Sequence, residues 1–129
     1  MKKNKEKITF MVEITKNGYS AYSENNIFST GKNIYELTQN IVEACNLYYH
    51  ELGQSIELHN IKLRFNFKEF FKAYRVINSY FLAKKIGIHP TLLSQYVNGQ
   101  KEPSNKQFKK IMNGLHEIGR ELLGLELFH

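Results

Sequence analysis

The sequence contains no aspartate and no tryptophan, and it has a single cysteine and only two prolines among 129 residues. The lone thiol, Cys45, has no partner for an internal disulfide, which is typical of a protein in a reducing cytoplasm. A ribonuclease site that works with a divalent metal needs several carboxylates gathered around the ion, and the Glu residues here are scattered. A Ser-His-Asp triad lacks its Asp, although Glu can substitute. We therefore predict no catalytic residues, no metal site and no cofactor.

Long hydrophobic runs are also missing. No apolar run approaches the roughly 18–20 residues that span a bilayer, and the basic residues 1–7 are not followed by the apolar stretch of a signal peptide. Hydrophobic residues make up 42% of the chain, which is enough for a packed core and too many for a disordered protein. We expect a globular cytoplasmic protein of one ordinary domain or two very small ones.

Charge is divided unevenly along the chain. Residues 8–60 carry two Lys against six Glu, a net charge of −4, and residues 1–7 carry a net charge of +3. Residues 61–129 carry twelve Lys and Arg against five Glu, a net charge of +7. An acidic stretch joined to a basic one suggests two different partners, and the basic one is suited to nucleic acid.

Residues 82–104 form the most informative stretch. Leu82, Ala83 and Ile86 share one face of a predicted helix. Gly87 follows where that helix must stop, and glycine takes the left-handed conformation of a helix stop at little cost. This spacing predicts a first helix and a tight turn.

A second helix follows the turn directly. His89 is placed as its N-cap, and Pro90 occupies the favoured first helical position. Asn98-Gly99 closes it. The candidate inward side chains are Leu92, Leu93 and Tyr96, of which the last two hold the helical spacing best. The whole stretch is a predicted helix-turn-helix.

The pattern Leu-Ala-x-x-Ile-Gly-Ile, Leu-Ser-x-Tyr and Asn-Gly-x-x-x-Pro-Ser occurs at residues 82–88, 93–96 and 98–104. It resembles the Cro/repressor-type helix-turn-helix family, which implies an all-α DNA-binding domain. In such a motif the second helix lies in the major groove with its N-terminal residues against base edges.

Helix geometry then selects the DNA-facing side chains. If Leu93 and Tyr96 face inward, Thr91 and Gln95 lie on the opposite side, and Gln can bind adenine through two hydrogen bonds. The candidate base contacts are Thr91 and Gln95, flanked by the DNA-binding candidates His89, Pro90 and Ser94, and the candidate phosphate contacts are Lys84, Asn98 and Lys101. The alternative is that Thr91 and Gln95 are merely solvated. One such module reads few base pairs, so a dimer on an inverted repeat is expected.

The first half of the chain alternates with a period of two. Residues 8–14 predict a strand with one buried face, and Asn17-Gly18 predicts a type I′ hairpin turn into a second strand over residues 19–24. In that register Ile14 pairs with Ala21. The outer face then carries Met11, Glu13, Ser20 and Tyr22.

A third strand is predicted over residues 27–30, followed by a helix that Asn33 caps and that ends near Leu52-Gly53. Alternation returns within residues 54–66, where we predict a final strand. This arrangement of three strands, a helix and a strand predicts a small antiparallel sheet covered by one helix.

Several short patterns in this region are similar to the N-terminal domain of HicB-type antitoxins. They are the strand at residues 8–14, Asn17-Gly18-Tyr19 with Tyr22, Phe28 through Gly31, and Ile34-Tyr35-Glu36-Leu37 with Asn40. The resemblance implies a truncated ribonuclease-H-like fold that binds and blocks a small, basic, HicA-type toxin that cleaves messenger RNA. We assign toxin docking to the outer-face residues Met11, Glu13, Ser20 and Tyr22.

Three more segments complete the chain. Asn66 begins a predicted helix, and Pro103-Ser104 precedes a long one that contains Gly114 and Gly119. A close approach by another helix or an early helix end would explain these glycines. Residues 125–128 predict a short strand.

The sequence therefore predicts an α+β protein with a partner-binding domain at residues 1–65 and a helix-turn-helix domain at residues 66–129. The function that fits is an antitoxin of a type II toxin-antitoxin system that also represses its own operon, as a homodimer or a higher homo-oligomer. The alternative is a stand-alone dimeric transcriptional repressor whose first domain senses a ligand or dimerises. A nuclease is disfavoured by the missing Asp.

Overall fold

The computed structural model describes residues 2–3, by their backbone, and residues 6–129. Part of the basic stretch predicted at residues 1–7 lies outside the described residues. The strands are β1 (Lys2–Lys3), β2 (Ile8–Thr15), β3 (Gly18–Ser23), β4 (Phe28–Gly31), β5 (Gln54–Ser55) and β6 (Ile61–Phe65). The helices are α1 (Ile34–His50), α2 (Phe67–Ala73), α3 (Ser79–Ile86), α4 (Pro90–Val97) and α5 (Asn105–Leu123). The predicted α+β class is confirmed.

Contacts divide the chain into two compact units, Met1–Phe70 and Phe71–His129. All six strands and α1 belong to the first unit, whereas α3, α4 and α5 belong to the second. The boundary falls inside α2.

The main sheet of the first unit has four strands in the order β4-β3-β2-β6. β2, β3 and β4 pair antiparallel, but β6 lies parallel to β2, from Ile8 opposite Ile61 to Val12 opposite Phe65. The sheet is therefore mixed, and the predicted antiparallel arrangement does not extend to β6. A parallel neighbour needs a long crossover, and the chain has one here because α1 lies between β4 and β6.

The turn between β2 and β3 lies one residue earlier in the chain than predicted. Thr15 pairs with Gly18 and Ile14 with Tyr19, so Lys16 and Asn17 occupy the turn, and the predicted pairing of Ile14 with Ala21 is wrong. Gly18 has a φ of +156°, and a Cβ there would overlap the Gly31 carbonyl oxygen of β4. Glycine is thus needed at a strand position where two backbones meet closely, rather than in the turn itself.

Helix α1 covers one face of this sheet. The Asn33 side chain caps the helix by accepting a hydrogen bond from the Glu36 N–H at 2.8 Å, as predicted. The helix ends at His50, slightly before the predicted Leu52-Gly53. The fully buried side chains of the core are Phe10, Ala21, Leu37, Ile41 and Cys45. The inward face of β2 therefore packs against the apolar stripe of α1.

Two asparagines hold the segment that leads from α1 to β6. The Asn46 side chain accepts from the Ile56 N–H at 2.7 Å and donates to the Ile56 carbonyl at 3.0 Å. The buried Asn60 accepts from the Glu57 N–H at 2.9 Å. These bonds satisfy backbone groups in a non-strand region, so only residues 61–65 of the predicted 54–66 region join the main sheet.

The second unit is built from helices whose ends carry their own capping groups. The Asn78 side chain accepts from the Phe81 N–H at 3.1 Å at the start of α3, and the Ser104 hydroxyl accepts from the Gln107 N–H at 3.2 Å at the start of α5. Ile111 of α5 is fully buried, and the helix touches α3. Within the described residues no helix is both long and apolar enough to cross a membrane.

The two interior glycines of α5 have different surroundings. A Cβ at Gly114 would overlap Ile86 Cγ2 of α3, which confirms close helix approach as its explanation. Around Gly119 the space is open. Residues 125–129 have no regular secondary structure, so the short strand predicted at residues 125–128 is absent.

Candidate functional site

The turn between α3 and α4 is set by three consecutive residues. Gly87 ends α3 in the left-handed conformation, with φ +77° and ψ +35°. Ile88 is buried under the turn. His89 then caps α4, because its Nδ1 accepts the Thr91 N–H at 3.2 Å, and Pro90 is the first helical residue. The predictions that Gly87 ends the first helix, that His89 caps the second and that Pro90 is its first residue are all confirmed.

Helix α4 has one inward and one outward side. Leu93 and Tyr96 are buried, as predicted, and Leu92 is half-buried. Of the two predicted base contacts, Thr91 is exposed and Gln95 is half-exposed, and the flanking Ser94 is exposed. Positions 91, 94, 95 and 98 repeat at helical spacing, so their side chains share the outward face. This face is the one that could enter a major groove.

Two of the outward side chains already touch one another. Asn98 Nδ2 donates to Ser94 Oγ at 3.4 Å, one helical turn apart. Thr91 and Gln95 have no such mutual contact among the hydrogen bonds of the described residues, so the two side chains predicted to read bases face solvent with their polar groups available. The side-chain carbonyl of Gln95 can accept a hydrogen bond from the N6 amino group of adenine, while its side-chain amide donates one to adenine N7.

The predicted phosphate contacts flank α4 on both sides. Lys84 on α3 is exposed, and its Nζ lies 5.1 Å from the centre of the Tyr80 ring. Lys101 is exposed beyond α4, and its backbone N–H donates to the Gln95 carbonyl at 3.2 Å. The exit loop is thereby fixed against the last turn of α4. Lys84 precedes and Lys101 follows α4 in the chain, and exposed cations near a recognition helix can contact the phosphate backbone.

The electrostatics of the second unit suit an anionic partner. Residues 71–129 carry nine Lys and Arg against four Glu. Lys85 is engaged by Glu121 at 3.4 Å, whereas Lys110 donates to the Gly87 carbonyl at 3.0 Å and closes the end of α3. The other cations can attract DNA over a range set by the salt concentration.

The outer face of the sheet is the second candidate site. Cross-strand pairing places Met11 beside Tyr22 and Glu13 beside Ser20. The same pairing adds Phe28 next to Tyr22 and Arg64 next to Met11. We call Phe28, Tyr22, Met11 and Arg64 the outer row; it crosses all four strands, and each of its side chains is exposed.

One predicted docking residue is not accessible. Ser20 is buried, because its short side chain lies on an inner strand between Glu13 and Thr30 of the neighbouring strands. Sequence reasoning also missed Phe28 and Arg64. Alternation over residues 61–65 places Arg64 opposite the inward residues of β6, but only the parallel pairing with β2 places it beside Met11.

The described residues contain no group of three His, Cys or Glu side chains arranged to hold a metal ion. The Cys45 thiol is buried in the core of the first unit, and this burial raises its pKa from 9.0 to about 11. A thiol that keeps its proton at neutral pH is a poor nucleophile and a poor metal ligand.

Comparison with known proteins identifies one of these regions. The family model described as Helix-turn-helix, of the Cro/C1 type, matches residues 78–119, which include α3, α4 and most of α5. No curated protein and no solved structure matched the chain. That family is a DNA-binding regulator domain and not an enzyme family. Residues 78–119 are therefore a DNA-binding helix-turn-helix, and the chain is a DNA-binding transcriptional regulator.

Proposed function

We propose that this protein is an antitoxin of a type II toxin-antitoxin system. Its first unit neutralises a small, basic, HicA-like toxin that cleaves messenger RNA, and its helix-turn-helix represses the operon that encodes both proteins. The observation that carries the proposal is the joining of a DNA-binding helix-turn-helix to an α+β unit that leaves one sheet face open and whose residues 8–60 have a net charge of −4.

The first unit supports a basic protein partner. Residues 8–60 have a net charge of −4, and this sign attracts a cationic RNA-binding protein. The outer row supplies two aromatic rings and a methionine, the residue types that are enriched where protein partners dock. Glu13 is exposed on the same face of β2, two residues after Met11, and can pair with a cation. The order of the two units, with a HicB-like stretch first and the helix-turn-helix second, supports the same interpretation.

The second unit supports repression. The outward face of α4 reads bases through Thr91 and Gln95, with His89, Pro90 and Ser94 beside them. Lys84, Asn98 and Lys101 hold the phosphates on either side. A homodimer places two such helices on the half-sites of an inverted repeat.

The first test is a pull-down of the tagged full-length protein from its native host, with mass spectrometry of what co-purifies. A small basic protein at equal stoichiometry is expected. Tyr22→Ala should reduce its recovery, because Tyr22 is central in the outer row. Tyr35→Ala is the matched control, since Tyr35 is an exposed tyrosine on α1, which covers the opposite face of the sheet.

A second test separates the two activities. Gln95→Ala should weaken binding to the promoter region of the protein's own operon by roughly tenfold to a hundredfold and relax base preference there, since a bidentate contact contributes about 1–3 kcal/mol. Toxin recovery should be unchanged. Equal loss of DNA and toxin binding in this variant would contradict the proposed division of labour.

The stand-alone repressor is the second candidate function. It is favoured by a groove of about 660 Å³ in the first unit, between the second half of α1 and the β3–β4 loop, with Leu47, Tyr48 and Leu52 in its wall. Asn25, Asn26 and Glu51 line the same groove, so a ligand bound there would meet polar as well as apolar side chains. A protein that emerges alone from the pull-down, yet still binds DNA with a steep salt dependence, would favour this function over the antitoxin.

A further inference from the structure

The groove between the second half of α1 and the β3–β4 loop exposes large apolar side chains in a concave surface. We call it the α1 groove; the loop that forms one of its walls comprises residues 24–27. In the other wall Leu47, Tyr48 and Leu52 are 75%, 45% and 60% exposed. Single surface leucines need no explanation, but neighbouring exposed apolar side chains that line one groove are typical of an interaction site.

Hydrogen bonds hold the loop wall of the α1 groove in place. The Ser23 hydroxyl accepts from the Ile27 N–H at 3.2 Å, and the Ser23 carbonyl accepts from the Asn26 N–H at 3.0 Å. Asn25 Nδ2 donates to Tyr49 Oη at 3.1 Å, which ties the loop to α1. The two walls are therefore joined before any partner arrives, and a preformed groove binds without the cost of ordering a loop.

The charge around the α1 groove has one sign. The segments that form it, residues 24–27 and 43–52, contain three Glu and no Lys or Arg. Glu51 lines the groove itself, Glu43 lies two turns before it on α1, and Glu24 begins the loop. All three are exposed. These carboxylates repel nucleic-acid phosphates and attract a cationic partner.

An amphipathic helix with a basic polar face matches both properties of the α1 groove. Such a helix places apolar side chains at helical spacing into a hydrophobic groove, here against Leu47, Tyr48 and Leu52. Its Lys and Arg side chains then lie near Glu43 and Glu51. Because the same residues supply the apolar and the acidic contacts, an apolar helix without cations or a basic strand without apolar anchors would use only part of the surface.

We propose that the α1 groove binds a cationic amphipathic helix of the basic protein partner. The inference rests on the proposed function and deepens it, because it gives the toxin a second contact surface and states the chemistry of the toxin segment that fits there. The outer row comes from β2, β3, β4 and β6, whereas the α1 groove is formed by α1 and the loop. Variants of the two surfaces can therefore be tested separately.

The test measures fluorescence anisotropy of a labelled synthetic peptide with full-length protein. The peptide consists of Leu and Lys, with Leu on one helical face, and has about 14 residues, roughly four helical turns. We expect binding that weakens as salt rises. Tyr48→Ala should weaken it by about tenfold or more, because a central aromatic anchor is lost. Tyr35→Ala is the matched control, since Tyr35 is an exposed tyrosine on the first turn of α1, outside the groove.

A charge reversal tests the acidic part of the α1 groove. Glu51→Lys should weaken peptide binding by about tenfold or more, because a like charge replaces the carboxylate in the groove. Glu117→Lys on α5 changes the net charge equally and should have less than about a twofold effect. Circular dichroism should show unchanged helical content in both variants. Equal weakening by Glu51→Lys and Glu117→Lys, or peptide binding that Tyr48→Ala leaves unchanged, would overturn the proposal.

The pull-down separates failure of this inference from failure of the proposed function. Recovery of the basic protein should fall in Tyr48→Ala and Glu51→Lys, with DNA binding unchanged. Equal recovery with the wild type and both variants would overturn the inference and leave the antitoxin function intact. If no basic protein co-purifies, the proposed function fails, and groove-dependent binding of the peptide still supports a cationic helix as the occupant.

Native mass spectrometry of the freshly purified protein tests the competing occupant. A small molecule that is retained by the wild type and lost in Tyr48→Ala would assign the α1 groove to ligand sensing and overturn the proposal. Wild-type protein at the mass of the chain alone, together with groove-dependent peptide binding, supports the helix.

Discussion

The two compact units reach their folds through contacts of different range along the chain. In the first unit, β2 pairs with its neighbour β3 and with the distant β6, where Ile8 lies opposite Ile61. In the second, α3, α4 and α5 follow one another within residues 79–123, and each starts at its own capping residue. The difference shows why local patterns describe the second unit better than the first.

The same difference applies to the candidate sites. The DNA-facing residues Thr91, Ser94 and Gln95 lie on one helix, and their arrangement follows from helical spacing alone. The outer row draws one residue from each of four strands, and its arrangement exists only once the sheet is paired. A change of register between the strands would separate the residues of the outer row but would leave the face of α4 unchanged.

The largest expected effect comes from a core truncation in the first unit. Phe10→Ala removes a fully buried ring that packs in the cluster with Leu37 and should cost about 3–5 kcal/mol. Hydrogen exchange read by mass spectrometry should show lost protection in residues 6–70 and retained protection in α3 and α4. Phe28→Ala is the control, because Phe28 is exposed on the same sheet.

Equal loss of protection in both units of the Phe10→Ala protein would break the comparison. It would mean that the two units unfold as one cooperative system despite their different construction.

A smaller effect is expected from the turn of the helix-turn-helix. Gly87→Ala places a Cβ on a residue with φ +77° and should cost about 1–2 kcal/mol. Urea unfolding followed by circular dichroism should show the loss, and exchange should locate it in residues 71–129. Gly87→Asn should be milder, because Asn tolerates the left-handed conformation. An Asn variant as unstable as the Ala variant would mean that the space beside Gly87, and not its backbone angle, is what matters.

A substitution of the N-cap of α4 tests how much one local hydrogen bond contributes to the stability of the second unit. His89→Ala removes the acceptor for the Thr91 N–H and should cost about 1 kcal/mol of the second unit's stability in urea unfolding. His89→Asn should restore it, since Asn is a strong N-cap. Restored stability with DNA affinity still reduced would show that the imidazole also contacts DNA.

The smallest effect at neutral pH concerns Cys45, which reports on the first unit alone. Burial raises its pKa to about 11, so at pH 8 the native thiol should react with a thiol reagent far more slowly than in urea. The folded protein holds this proton above pH 9, where the unfolded chain releases it. The contribution of Cys45 is therefore present below about pH 9 and is lost as the pH rises toward 11.

Cys45→Ala is the control for this titration. The fall in unfolding free energy between pH 9 and 11 should be shallower in the variant than in the wild type. If the unfolding free energy falls equally steeply in both proteins, the pH dependence comes from groups other than Cys45.

The helix-turn-helix could be predicted closely because its signals are local. Gly87, His89 and Pro90 lie at the ends of helices, where a single residue decides whether backbone groups are satisfied. Leu93 and Tyr96 face inward because helical periodicity fixes their direction. The family match over residues 78–119 agrees with this part of the prediction.

The sheet was predicted less well because pairing is not a local property. Asn17-Gly18 favours a two-residue turn, yet the close approach of Gly18 to Gly31 on β4 places the glycine within the strand instead. The parallel partner of β2 and the neighbours of Tyr22 could not be derived from alternation, which gives a face but no partner.

The sequence by itself determined the helix ends, the inward and outward sides of α4, the inward face of β2 and the division of charge, because each depends on residues close together in the chain. Tertiary structure alone decided the mixed sheet, the burial of Ser20, the outer row that includes Phe28 and Arg64, and the different surroundings of Gly114 and Gly119. The physical reason is that these features depend on which distant segments meet, and contacts between distant segments are chosen by the packing of the whole core rather than by any short pattern.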